Sequence, residues 1–140
     1  PGVIGGKTFG ESIPLAAKLI ELVGMGEWAN HRPYDLSGGQ QQRIALARSL
    51  LLDPKFIIAD EPTGNLDIKA GETLMTLLRN ISQQFGITIM MVTHNIDQYK
   101  FGSRIVNMVD GRVTSDAINQ HSIEMMEQDV IDLKQKTETV

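Results

Sequence analysis

Apolar positions along this chain switch between a helical period and short continuous runs. Leu15, Ala16, Leu19, Ile20 and Val23 recur at helical spacing between Ile13 and Val23, and Gly24 is placed to end that helix. The Gly-rich residues 1–10 before it read as a loop. A turn-rich connection from Gly26 to Asp35 leads to LSGGQQQR at Leu36–Arg43. A second helix then runs to about Leu52, with Ile44, Ala47 and Leu51 on one side, until Asp53-Pro54 stops it. Phe56–Ala59 is an apolar run bounded by prolines, which predicts a strand buried on both faces. A third helix is predicted over Lys69–Phe85, with Leu74, Leu77, Leu78, Ile81 and Phe85 as its stripe, and Ile87–Val92 is the next buried strand. Ile105–Val109, Asp110-Gly111 and Arg112–Thr114 read as a hairpin with a two-residue turn. Ile123, Met126, Val130 and Leu133 suggest a tail helix over Ser122–Lys136.

Buried strands alternating with helices predict an α/β fold, a mostly parallel sheet covered by helices. Ligands in such sheets sit at the carboxyl ends of the strands. The polar pairs found there are Asp60-Glu61 and Thr93-His94.

Bulk properties remove some classes. A net charge of -4 over 140 residues, with no run of Lys or Arg, argues against an extended nucleic-acid surface. The absence of Cys excludes disulfides and thiolate metal sites. Apolar runs such as Ile89–Val92 are far shorter than the roughly 20 residues that span a bilayer, so membrane association is expected through a partner. The chain opens on Pro1 with no signal-peptide pattern, which reads as a truncated or processed start.

Two acids closing an apolar strand are informative, because an ionised carboxylate beside a core needs a partner. Asp60 can face a Mg²⁺ ion held through water, and Glu61 can polarise a water for attack on a phosphoryl group. His94 can hydrogen-bond the same group. The bland alternative is that Asp60 and Glu61 cap a turn ahead of Pro62. Ser37 and Gln40 fit a capping box, while Gly38 and Gly39 leave backbone N–H groups open to an anion at a helix start. His31 and His121 read as solvent-facing, Trp28 as packing, and Arg43 and Arg48 as surface ion pairs, with loop support as a second role for Arg43.

The combination says more than its parts. LSGGQQQR, FIIADEP beginning thirteen residues after Arg43, GNLD at Gly64–Asp67 and a strand leading to His94 together resemble the ATP-binding-cassette (ABC) ATPases. The resemblance covers roughly Ile13 to Arg112, and ADEPTGNLD with a preceding HRP is most similar to the lipoprotein-release, macrolide-export and cell-division type. It implies a P-loop NTPase-like fold with part of an α-helical signature subdomain at residues 1–52, ATPase core at 53–116 and a tail at 117–140. It also implies ATP and Mg²⁺ as ligands, with Asp60 at the metal, Glu61 as the base and His94 on the γ-phosphate. Ser37, Gly38, Gly39 and Gln40 would form the signature loop, bound to ATP on an opposing head-to-tail subunit, and Asp67 would reach across the same interface. Transmembrane permease subunits would be the other partners, placing the protein peripherally on the cytoplasmic face of the cell membrane.

One element of the resemblance is missing. In PGVIGGKT the first glycine of GxxxxGK[ST] would fall on Pro1, so Gly6-Lys7 is read as a surface turn and the P-loop portion as absent. The expectation is a cassette seen without its first ~90 residues and inactive alone. The competing readings are a soluble ABC ATPase of DNA repair or translation, and a non-catalytic interaction module. The compact segment before Leu36 disfavours the first, and the intact set Ser37, Asp60, Glu61, Asp67 and His94 disfavours the second.

Overall fold

The computed structural model describes residue 6 and residues 8–124, which fall into two compact units, Pro1–His94 and Asn95–Val140. In the first unit, helix α1 spans Phe9–Leu22, earlier than its apolar period predicts. The reason is a capping box: Thr8 Oγ1 accepts from the Glu11 N–H at 3.3 Å, and Glu11 Oε2 accepts from the Thr8 N–H at 2.8 Å. Residues 8–10 therefore belong to a helix start rather than to a loop. The helix ends as Gly24 would require, with φ at 70°. The Met25 N–H reaches the Ile20 carbonyl at 2.9 Å and the Gly24 N–H reaches the Glu21 carbonyl at 2.9 Å, a Schellman closure that buries Val23 and Met25.

Helix α2 covers Gly38–Leu50, strand β1 Phe56–Asp60, helix α3 Ile68–Phe85 and strand β2 Thr88–Val92. The buried stripe of α3 is Gly71, Leu74, Met75, Leu78 and Ile81. Phe85 is 48% exposed, so the predicted stripe ends one turn early. The two strands pair in parallel, with Ile58 opposite Met90 and Asp60 opposite Val92.

The expectation that both strands are buried on both faces is corrected here. Ile57 is buried and Ala59, Ile89 and Met91 are half-buried, whereas Phe56, Ile58, Met90 and Val92 are 48%, 63%, 47% and 51% exposed. Helices cover one face of a sheet that is two strands wide among the described residues, and nothing described covers the other.

In the second unit, Ile96–Phe101 forms a 3₁₀ segment absent from the sequence reading, followed by the antiparallel hairpin β3, Arg104–Val109, and β4, Arg112–Ile118. The predicted turn is present, with Asp110 and Gly111 both left-handed at φ 48° and 73°. Asn119 ties the hairpin to the 3₁₀ segment, its Nδ2 donating to the Tyr99 and Gly102 carbonyls at 2.9 and 3.0 Å. Arg104 and Asp116 form a two-pronged ion pair. Residues 120–124 are helical. The rest of the predicted tail helix, with Met126, Val130 and Leu133, lies outside the described residues, as do Pro1–Gly5 and Lys7 of the predicted opening turn.

Candidate active site at the strand ends

Parallel pairing brings two polar pairs to the same end of the sheet. The ladder continues one residue beyond β1, the Glu61 N–H donating to the Val92 carbonyl at 2.9 Å. There the chain turns sharply, with Glu61 in the left-handed region at φ 42° and the Gly64 N–H closing back on the Glu61 carbonyl at 3.0 Å. A non-glycine residue there costs on the order of 1 kcal/mol, and such strain concentrates at functional sites.

That turn aims the Glu61 carboxylate at the residues after β2. Oε1 accepts from the His94 backbone N–H at 3.0 Å and lies 2.7 Å from His94 Nδ1, which donates because an ionised carboxylate only accepts. Thr93 Oγ1 lies 3.4 Å from Oε2. The His94 side-chain hydrogen bond, reinforced by its backbone N–H and its charge, holds the Glu61 carboxyl below its ordinary value of 4.5 against a smaller opposing effect of desolvation. Since the folded value is the depressed one, this contact contributes fully above 4.5 and is lost as pH falls through the lowered value. The Glu61 carboxyl is accordingly expected to titrate below 4.5 by carbon-13 NMR, and to rise toward 4.5 in His94→Ala. A midpoint indifferent to that substitution would count against the contact.

Asp60 is exposed at the end of β1, and its carboxylate has no hydrogen-bond partner among the described residues. No group of three or more His, Asp or Glu side chains able to cage a metal occurs among those residues. One free hard oxygen donor without a protein cage suits Mg²⁺, which keeps water and phosphate oxygens as its other ligands.

The second cluster forms where α2 begins. Ser37 accepts from the Gln40 N–H at 3.4 Å and its own N–H reaches Gln40 Oε1 at 2.8 Å, so the capping box is present. Gly38 and Gly39 supply the first two helical N–H groups, which have no intrahelical acceptor. Leu66, a residue the sequence reading left without a role, lies beside both: a Cβ on Gly38 would lie 3.5 Å from its Cδ2, and one on Gly39 3.8 Å. Nothing in the spacing of the sequence signals this proximity. Asp67 caps α3, its Oδ1 accepting from the Ala70 N–H at 2.9 Å. Its carboxylate therefore has a local structural job.

The remaining polar residues are quiet. Trp28 is half-buried and its ring pairs with that of His31 at 4.7 Å between centroids. The expected surface ion pairs of Arg43 and Arg48 are not found among the described residues; the Arg43 guanidinium instead approaches the turn at Gly24.

The profile of the ABC transporter family matches residues 10–64. An uncharacterized ABC transporter ATP-binding protein of Methanocaldococcus jannaschii is 52% identical over 98 residues, covering 70% of this chain and 43% of the relative. A lipoprotein-releasing system ATP-binding protein, LolD 1 of Rhodopseudomonas palustris, is 46% identical over 98 residues, covering 70% and 43%. The macrolide export ATP-binding/permease protein MacB of Chlorobaculum tepidum is 48% identical over 105 residues, covering 75% and 16%. Among solved structures, the dimeric ABC transporter cassette MJ0796 is similar with a TM-score of 0.68 at 41% identity, over 79% of this chain and 48% of that one. The chain thus spans less than half the length of these relatives. Four motifs in order, the parallel strands that present them and these similarities agree, and over the stretch they share this chain belongs to the ATP-binding proteins of the ABC transporters.

Proposed function

We propose that this stretch is the hydrolytic and signature-bearing half of a transporter ATPase. The observation that carries the reading is the Glu61–His94 pair, 2.7 Å apart at the ends of adjacent parallel strands with Asp60 beside it. Glu61 is ionised at neutral pH and already held by donors, as a base that orients an attacking water requires. Asp60 would hold Mg²⁺ through water, and the metal would supply charge neutralisation on the phosphates. His94 has its Nε2 free of the Glu61 contact, and with Nδ1–H given to Glu61 it donates from Nε2 to a γ-phosphate as the imidazolium.

The open N–H groups of Gly38 and Gly39 at the positive end of α2 would take the γ-phosphate of ATP held by a second ATPase subunit. Ser37 and Gln40 fix that loop through their capping box, and Asp67 would approach the same interface from the start of α3. Opening and closing of the head-to-tail pair would drive permease subunits, with the ATPase on the cytoplasmic face of the membrane. No helix among the described residues is long and apolar enough to cross a membrane, which fits a partner-borne attachment. In this division residues 1–52 carry the signature, residues 53–116 the catalytic strand ends, and residues 117–140 a tail. The isolated chain would neither hold ATP tightly nor turn it over.

The test is a chimera in which residues 10–118 replace the matched stretch of the MJ0796 cassette. Mg²⁺-dependent ATP hydrolysis is the expected result. A folded chimera that binds ATP but never hydrolyses it would assign this stretch to a non-catalytic module.

A further inference from the structure

On the reading that the loop Ser37–Gly39 meets an opposing subunit's ATP, we propose that Gln41 is a positioning residue for that loop. With Gln40 it clamps the Leu36–Ser37 peptide from both ends, and so sets the direction in which the N–H groups of Gly38 and Gly39 point.

The loop has few restraints of its own. Gly38 and Gly39 open α2 without side chains to hold them, and glycine gives up more backbone freedom on ordering than any other residue. The Leu36 N–H reaches the Pro33 carbonyl at 3.4 Å, closing a 3₁₀ turn over Pro33–Asp35, and the Gln40 N–H reaches Ser37 Oγ at 3.4 Å. Both distances exceed the usual range of about 2.7–3.2 Å.

The shorter contacts come from two consecutive glutamines. Gln40 Oε1 accepts from the Ser37 N–H at 2.8 Å, and Gln41 Nε2 donates to the Leu36 carbonyl at 3.0 Å. That N–H and that carbonyl belong to one planar peptide unit, so holding both ends stops it from turning. The Gln41 backbone N–H then takes the Ser37 carbonyl at 2.9 Å, which fixes the next peptide, the one that carries the Gly38 N–H. Gln41 therefore holds two successive peptides, one through its side chain and one through its backbone. Its Nε2 also lies 3.3 Å from the Pro33 carbonyl, tying the 3₁₀ turn to the same point.

This reach suits the position, because helical side chains lean toward the N-terminus and the fourth residue of α2 overlies the chain that enters it. It also suits the residue: an amide has two N–H donors for two carbonyls, which neither Glu nor Met supplies. Both bonds are exposed, so water can replace them at little cost to folding. Water cannot replace the orientation they impose.

Gln41→Met keeps the unbranched shape and removes both donors. Gln41→Arg returns a donor, since Arg Nε is as many bonds from Cβ as Gln Nε2. In the 140-residue chain, the heteronuclear Overhauser effects of the Leu36–Gly39 amides should fall in Gln41→Met and recover in Gln41→Arg. The urea midpoint should drop by no more than about 0.3 M in either. In the MJ0796 chimera, dimerisation driven by a non-hydrolysable ATP analogue, read by size-exclusion chromatography with light scattering, should weaken about tenfold in Gln41→Met. Gln41→Arg should return it to within about threefold of the parent at low and high salt alike, whereas a rescue owed to charge alone would fade with salt. Dimerisation indifferent to Gln41→Met, a loss that follows the urea midpoint, or a loss that Gln41→Arg leaves in place overturns the proposal. A parent chimera that never dimerises on the analogue overturns the loop's assignment itself, and the role of Gln41 with it.

Discussion

Glu61→Gln, made in the chimeric cassette, is expected to lower ATP turnover by at least about 100-fold while ATP binding persists, because general-base assistance contributes about 10²–10⁴ in rate. Glutamine has the shape of glutamate and its Oε1 can still accept from the His94 N–H and from His94 Nδ1. What it loses is the ability to draw a proton from water. The Glu61 carboxyl is held below 4.5 chiefly by the His94 side-chain hydrogen bond, so in the parent the charged form is available at neutral pH. The substitution therefore removes basicity and leaves position largely intact. ATP should remain trapped between paired subunits, read as a long-lived dimer by size-exclusion chromatography in ATP and Mg²⁺. His94→Ala should behave differently, since it removes the Nδ1 donor to the carboxylate, keeps the backbone N–H donor, and leaves the base in place but less firmly aimed. Equal turnover in Glu61→Gln and parent would take the catalytic role away from Glu61.

Local chemistry was legible in the sequence, and relations between distant residues were not. The capping box of Ser37 and Gln40, the left-handed glycine after α1 and the Asp110-Gly111 turn follow from residues within a few positions of one another. The Glu61–His94 contact joins residues 33 apart in sequence. It depends on β1 and β2 being neighbours in a register that sets Asp60 beside Val92, which no spacing rule supplies. The reading named both residues but gave each its own task, without the hydrogen bond that connects them. The start of α1 was missed for another reason: glycines at 2, 5, 6 and 10 outweighed Thr8 and Glu11, whose capping box decides the matter. The strands show what a hydrophobic run encodes. FIIA and ITIMMV call for burial on both faces, and the structure provides one face; the run records a requirement that the described residues do not fully meet.

Gly38→Ala and Gly39→Ala are expected to move stability and function in opposite directions. Neither glycine has a positive φ, so neither is needed for a backbone conformation that alanine would resist. Nor does packing demand them. A Cβ on Gly38 would rest 3.5 Å from Leu66 Cδ2 and 3.7 Å from the Asn65 carbonyl, and one on Gly39 3.5 Å from Ala70 Cβ, all ordinary contact distances. Alanine in the first turn of α2 should then hold or raise the stability of the chain, by about 0.5 kcal/mol per site, measured by urea unfolding. A residue pair that weakens its own helix without an internal reason points to something outside that must approach the backbone closely. On the proposed reading that is the phosphate of an opposing subunit's ATP, and a methyl group on either residue would stand between it and the N–H groups. ATP-driven dimerisation should fall by at least about 50-fold, a few kcal/mol of lost charge-assisted hydrogen bonding. If instead both alanine variants unfold more easily and lose dimerisation in proportion, the glycines serve the contact with Leu66, and the anion site at the start of α2 has to be given up.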